Sequence, residues 1–352
     1  MIKPGKMLAV IGGQFGSEGK GAVIGQIADD YQVHVRVGSP NAGHTFYWNG
    51  EKHVMQTIPC GWINPEATIV IGRGALLDME LLLVEISRIE KYYPKFKDRL
   101  VIDELAGVLD KKFHQEEGGV DGEIHRRIGS TGEGVGAARV ARVNRDPSVF
   151  RHFWNVCDKY GLTKCCYKNT PKMLNEWQES GLNILLEGTQ GSGLSLLHGY
   201  WPYVTSIDTN AAQILAECGI APNKLGSVLL VCRTFPIRVA GTSGPLYRET
   251  SWEALSAVTG RSLSEVTTVT KKTRRVGMWD WKLVENSVIL NNPSSIALTF
   301  VDYIDGCVEG VTEPESLTQP VLEVIDEIES RLNVRISMVG TGPKTMVRLS
   351  GV

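Results

Sequence analysis

Short apolar runs rich in β-branched residues recur along the chain at residues 8–11, 33–37, 69–71, 184–186, 228–231, 296–300 and 336–339. Their length and composition predict strands buried on both faces. Between several of them the apolar period changes to that of a helix. In 78–93, Leu81, Leu82, Val84, Ile86 and Ile89 stand among charges, and in 320–332 Val321, Leu322, Ile325 and Ile328 do the same. Alternating β and α elements imply a largely parallel sheet covered by helices on both faces. Asn49-Gly50, between strand-like runs at 45–47 and 53–55, predicts a tight hairpin. With no repeat, low-complexity tract or linker, one α/β domain spanning 1–352 is expected. Ligands of such sheets collect at the carboxyl ends of the strands, so the loops that follow the strands are where chemistry is expected.

Composition narrows the class of partner. The 352 residues are 42% hydrophobic and 22% charged, and 37 Lys+Arg against 39 Asp+Glu leave a net charge of -2. That balance provides no basic field for a polynucleotide backbone and favours small ligands. No stretch approaches the roughly 18 uninterrupted apolar residues of a membrane span, so a cytoplasmic protein without membrane contact is expected. The 7 cysteines, an odd number with no C-x-x-C pair, read as reduced thiols.

The first strand runs into Gly12-Gly13-Gln14-Phe15-Gly16-Ser17-Glu18-Gly19-Lys20-Gly21, followed by a helix over 22–28. Glycines allow close backbone approach to an anion, a helix N-terminus presents unpaired N–H groups, and Lys20 adds positive charge, so the loop reads as a phosphate cradle. It departs from the P-loop, which places a glycine where Gln14 stands and Ser or Thr where Gly21 stands. A second cluster, Gly38-Ser39-Pro40-Asn41-Ala42-Gly43-His44-Thr45, follows the next strand. It offers an amide, a carbonyl and an imidazole able to exchange a proton near neutral pH.

These two clusters resemble the N-terminal signatures of adenylosuccinate synthetase. The likeness continues through Ser130-Thr131-Gly132-Glu133-Gly134-Val135-Gly136, Glu187-Gly188-Thr189-Gln190-Gly191, Tyr203-Val204-Thr205-Ser206, Val269-Thr270-Lys271-Lys272-Thr273-Arg274-Arg275, Leu298-Thr299-Phe300-Val301-Asp302 and Gly340-Thr341-Gly342-Pro343, in order and near the same spacing. The resemblance implies a P-loop-related α/β fold and a two-step ligase. A nucleoside triphosphate's γ-phosphoryl moves to the O6 of a purine monophosphate, and the amine of L-aspartate then displaces it. It implies further that Gly16, Glu18, Gly19, Lys20, Gly21, Gly43, His44, Thr45, Phe300, Asp302, Gly340, Gly342 and Pro343 line the triphosphate site. Ser17, Asn41, Ser130, Thr131, Gln190 and Thr205 would hold the monophosphate, joined by Arg142 from the other subunit of a homodimer. Thr270, Lys272 and Arg274 would hold aspartate, Gly43 and position 17 would bind Mg²⁺, and Ser17, Lys20, His44 and Gln190 would carry the chemistry, with His44 as general acid.

Three positions depart from the family pattern. Ser17 stands where the family has an aspartate that takes the purine N1 proton and ligates the metal, tasks a neutral hydroxyl does poorly. The same exchange is associated with a phage-borne branch that accepts dGMP and feeds diaminopurine nucleotide synthesis; in a phage-encoded member the site of action would be the host cytoplasm. Glu18 or an ordered water is the candidate replacement base. Phe300 replaces a lysine of a Lys-x-Asp element that reads a guanine base, which points to ATP or dATP as donor. Lys272 replaces an arginine near the ribose 2′-hydroxyl, in keeping with a deoxy substrate. Three readings follow: a ligase joining dGMP to L-aspartate, an ordinary adenylosuccinate synthetase acting on IMP with GTP or ATP, and an inactive nucleotide-binding regulator.

Overall fold

Residues 3–266 and 273–349 are described in a computed structural model of the chain. Ten strands form one sheet: β1 (Met7–Gly12), β2 (Val33–Arg36), β3 (Thr68–Ile71), β4 (Leu100–Asp103), β5 (Cys166–Tyr167), β6 (Ile184–Glu187), β7 (Ser227–Arg233), β8 (Ser295–Thr299), β9 (Ile336–Gly340) and β10 (Met346–Arg348). They lie in the order β5-β4-β3-β2-β6-β1-β7-β8-β9-β10. Every neighbouring pair is parallel except β9 with β10. All seven runs expected as strands are in this sheet. The three that were not expected are short edge or near-edge pieces, and β4 ends in a buried aspartate, Asp103, that breaks its apolar run.

The helices of the chain include α1 (Lys20–Ile27), α2 (Met79–Glu90), α3 (Val135–Val143), α4 (Ala211–Cys218), α5 (Trp281–Asn291) and α6 (Gln319–Leu332). The period-2 alternation of β1 divides its side chains between two apolar layers. Leu8 and Val10 pack with Val23, Ile24 and Ile27 of α1 and with Leu82 and Ile86 of α2. Met7, Ala9 and Ile11 pack with Ile214 and Leu215 of α4, Val284 of α5 and Ile325 and Ile328 of α6. Burial on both faces is why these strands read as apolar runs rather than alternating ones. Helix α3 stands apart, in a small cluster with Leu109 and Phe113.

Local chemistry sets the element ends. Asp78 caps α2 by accepting the N–H groups of Glu80 and Leu81 at 2.9 and 3.0 Å. The hairpin pairs His44–Trp48 with Glu51–Met55, and Asn49 and Gly50 take φ of 50° and 77°, the positive pair that a two-residue turn of this hand requires. The expected strand 296–300 stops one residue early, because Phe300 turns to φ 61° and starts a short 3-10 turn, Val301–Tyr303. Among the described residues no helix is long and apolar enough to cross a membrane, and the cysteines form no disulfide.

Candidate active site

The loops after β1, β2, β6 and β7 converge at the carboxyl edge of the sheet around a cavity of about 300 Å³. In the first of them Gly16, Ser17 and Gly19 all take positive φ, of 85°, 58° and 89°. Ser17 is the exception among them, a residue with a Cβ held in the left-handed region and exposed on the cavity wall. Gly12 has no alternative, since a Cβ there would lie 2.3 Å from the Gln190 carbonyl oxygen. Glu18 is fully buried and folds back into its own loop. Its carboxylate accepts the N–H of Gln14 at 3.1 Å, the N–H of Gly16 at 2.7 Å and the ammonium of Lys20 at 2.7 Å. Lys20 also donates to the Gln190 carbonyl. Both carboxylate oxygens are thereby engaged within the loop, Oε1 by two amides and Oε2 by Lys20, which favours an ordered water over Glu18 as the replacement base. Two amides of the expected phosphate cradle likewise point at Glu18.

The second loop supplies a proton-handling group. His44 Nδ1 donates to Glu187 Oε1 at 2.6 Å, and Arg36 reaches the same oxygen with Nη1 at 2.6 Å. The other oxygen, Oε2, accepts the N–H of Cys60 at 2.7 Å. Burial favours the neutral forms of the titratable groups here, but the guanidinium of Arg36 and the bond from His44 hold the Glu187 carboxyl down at about 2. Burial first and Arg36 second push His44 down to about 4. The charges of Arg36 and Glu187 balance, which leaves the imidazole neutral, with its Nε2 buried and without a hydrogen-bond partner among the described residues. His44, Cys60 and Glu187 lie close enough together to suggest a metal site. The Arg36 guanidinium bound to the shared carboxylate opposes a cation there, and burial and Glu187 raise the Cys60 thiol, the reverse of what a thiolate ligand needs.

Gln190 brings the expected monophosphate residues together. Its Nε2 donates to Asn41 Oδ1 at 3.2 Å and to Thr205 Oγ1 at 3.4 Å. All three line the cavity with Gly16, Ser17, Lys20, Gly43 and His44. Ser130 and Thr131 line it from the loop before α3. Arg274 does so from the position just before the strand Arg275–Gly277, which pairs antiparallel with Ile237–Arg238. Thr270 and Lys272 lie outside the described residues. Arg142 is not among the lining residues; its guanidinium rests over the Phe150 ring at 5.2 Å. Phe300, Asp302, Gly340, Gly342 and Pro343 also stand off this cavity, at the ends of β8 and β9. There the Phe300 ring packs at 3.9 Å on the guanidinium of Arg233, and Asp302 is paired with Arg261 at 2.8 Å.

Several wall residues were not foreseen. Arg238 is buried, lies 4.1 Å over the Phe15 ring and donates to the Tyr203 carbonyl at 3.0 Å; burial lowers it to about 10. Glu117 accepts the N–H groups of Gly134 at 2.8 Å and Ala137 at 3.1 Å, capping α3 from a distant helix. Glu133, raised by burial, stands beside it on the wall. The available signal was a charge set in or at the end of an apolar strand, which fits Arg36, Glu187 and Arg233. Nothing in the sequence marked Glu117 or Arg238.

The adenylosuccinate synthetase family profile matches residues 9–155 and 150–309. The adenylosuccinate synthetase of Methanococcus maripaludis is 37% identical over 338 residues, covering 95% of this chain and 96% of that one. That of Methanocaldococcus jannaschii is 36% identical, covering 95% and 94%. Among solved structures, succinoaminodeoxyadenylate synthetase of cyanophage S-2L, bound to dGMP and to dATP as an energy donor, superposes with a TM-score of 0.81 at 28% identity, covering 98% of this chain and 94% of that one. The fully ligated adenylosuccinate synthetase of Plasmodium falciparum shares the fold, with a TM-score of 0.85 at 22% identity over 98% and 100% of the two chains.

Proposed function

Because the chain belongs to the adenylosuccinate synthetase family and is a ligase that forms a C–N bond, we propose that it joins dGMP to L-aspartate, driven by ATP or dATP, within a single catalytic domain spanning 1–352. The observation that carries this reading is the wall at position 17. A small hydroxyl side chain stands there, exposed to the cavity, and the neighbouring carboxylate is consumed inside its own loop. A purine with a 2-amino group beside N1 meets a short neutral side chain. The likeness to the cyanophage enzyme, itself bound to dGMP and dATP, supports the same reading.

In the first step the γ-phosphoryl leaves the triphosphate and bonds to the purine O6 while the N1 proton departs. In the second the aspartate nitrogen bonds to C6 and gives up a proton, the C6–O bond breaks and phosphate leaves with that proton. Lys20 would hold the triphosphate, and Asn41, Ser130, Thr131 and Thr205 the 5′-phosphate, with Gln190 near the 6-position. The N1 proton would pass to a water held beside Ser17. His44, fixed at Nδ1 by Glu187, would direct Nε2 at the 6-oxygen, and the negative charge of two phosphate-bearing ligands raises its proton affinity towards that of an acid. Thr270, Lys272 and Arg274 would bind the aspartate carboxylates. Phe300, Asp302, Gly340, Gly342 and Pro343 would border the donor base. Mg²⁺ fits a wall lined by the exposed residues Ser17 and Gly43, whose hydroxyl and carbonyl would add neutral oxygens to those of the phosphates; bound there, it would neutralise charge on the moving phosphoryl. A homodimer would bring Arg142 to the partner's monophosphate.

The second reading, IMP as acceptor, is favoured by the archaeal relatives, which carry the name adenylosuccinate synthetase at 36–37% identity. An inactive regulator is not supported, since Arg36, His44 and Glu187 keep a complete proton-handling arrangement. The deciding experiment is product formation with L-aspartate, Mg²⁺ and ATP, comparing dGMP, GMP, IMP and dIMP at equal concentration. We expect dGMP to give the highest kcat/KM; preference for IMP would establish the second reading.

A further inference from the structure

Arg233 is a charged side chain with no exposed surface, at the carboxyl end of β7. A buried charge is costly unless it is paired and hydrogen-bonded, and the partners of this one come from three separate segments. Its backbone is clasped by Gln14, whose amide accepts the Arg233 N–H at 2.9 Å and donates to the Arg233 carbonyl at 2.9 Å. The guanidinium reaches back into the same glycine-rich loop, where Nη1 donates to the Ser17 carbonyl at 3.1 Å. Both terminal nitrogens bind the Glu265 carboxylate, Nη1 at 3.3 Å and Nη2 more closely. The hydroxyl of Tyr303 donates to the same carboxylate at 3.2 Å. The Glu265 carbonyl in turn accepts the N–H of Arg274 at 2.8 Å. The Phe300 ring covers one face of the guanidinium.

A planar fork with several fixed donors suits this junction, because it can hold a carbonyl and a carboxylate at once in one plane. Ser17 and Arg274 are both cavity-lining residues, and neither has another visible reason to keep a fixed distance from the other. We infer that Arg233 is a positioning residue for the reaction: it holds the Ser17 carbonyl and, through Glu265, the Arg274 backbone in one frame, so that the purine wall and the aspartate wall are set together. The inference rests on the proposed reading of the cavity as a purine and aspartate site, but not on which purine is bound.

The test uses the full chain and whichever monophosphate the wild type turns over fastest, so that a failure of the dGMP reading appears in the wild type alone. Arg233→Lys keeps a positive charge for Glu265 but loses the fork. We expect kcat to fall about ten- to a hundred-fold, and KM for aspartate to rise about five-fold with KM for the triphosphate within about two-fold. Glu265→Gln, which leaves Arg233 in place, is expected to move the same two constants in the same direction by less. A purely structural ion pair would lower Tm and leave the kinetics of the folded protein intact. Wild-type kcat and aspartate KM in a soluble Arg233→Lys protein, whatever its Tm, overturn the inference. Should that variant fail to fold, the same outcome in Glu265→Gln overturns it.

Discussion

On the sheet side of the cavity, Arg36, His44 and Glu187 are buried, joined by bonds of 2.6 Å and balanced in charge within the chain itself. Across from the sheet, Glu117, Glu133 and Arg274 stand on elements outside it and are only half-buried. The first group hangs from β2, β6 and the hairpin that starts at His44, so its geometry is set by strand register: Arg36 lies opposite Glu187 in the parallel pair. The second hangs from helix ends and a bridge, Val266 with Thr273, that borders residues outside the described ones. The Arg36, His44 and Glu187 cluster is thus built on the rigid scaffold, whereas Glu117, Glu133 and Arg274 stand on loops and helix ends, the division expected when rigidity serves chemistry and adaptability serves binding.

The largest effect should come from breaking the sheet wall. Glu187→Gln leaves Arg36 buried without its anion, a loss of about 3–5 kcal/mol, and frees the imidazole from its orienting bond. We expect a Tm lower by several degrees and a kcat reduced about 10²–10⁴-fold, the range attributed to a positioned acid or base; melting and steady-state rates on one preparation check both. An unchanged kcat would remove His44 and Glu187 from the chemistry. The rim should respond far less. Glu117→Gln keeps an acceptor for only one of the two amides that the carboxylate now binds, so stability should fall by about 1 kcal/mol, and KM for the monophosphate should change by less than about three-fold because the carboxylate is engaged in capping. A loss of activity as large as that of Glu187→Gln would erase the distinction between the walls.

The sheet was legible because its strands are buried on both faces and so appear as apolar runs; its shortest pieces, β5 and β10, carry too few residues to show a period. The hairpin was legible from Asn49-Gly50. On α2 the apolar stripe predicted the inward face through Leu82, Ile86 and Ile89, but Val84 of the same stripe is exposed, and Glu85 lies on the inward face, where its carboxylate accepts the N–H groups of Gln56, Thr57 and Ile58. Only the tertiary placement of that loop explains a buried acid there. Of the site, the residues within the glycine-rich and Gln190 loops were legible from motif and resemblance, and the cavity gathers Ser17, Asn41, His44, Gln190 and Thr205. The engagement of Glu18 by its own loop was not, since the sequence shows a carboxylate beside Lys20 without showing which way it faces. Arg233 and Arg238 were missed for the same reason: their partners lie far away in sequence and meet them only through the fold.

The central claim, that position 17 sets the choice of purine, is tested most directly by the ratio of kcat/KM for dGMP to kcat/KM for IMP in the wild type and in Ser17→Asp. The proposal predicts a ratio above one in the wild type that falls by about ten-fold or more in the variant. A variant that keeps the full wild-type preference for dGMP would contradict it and place the selection elsewhere on the cavity wall.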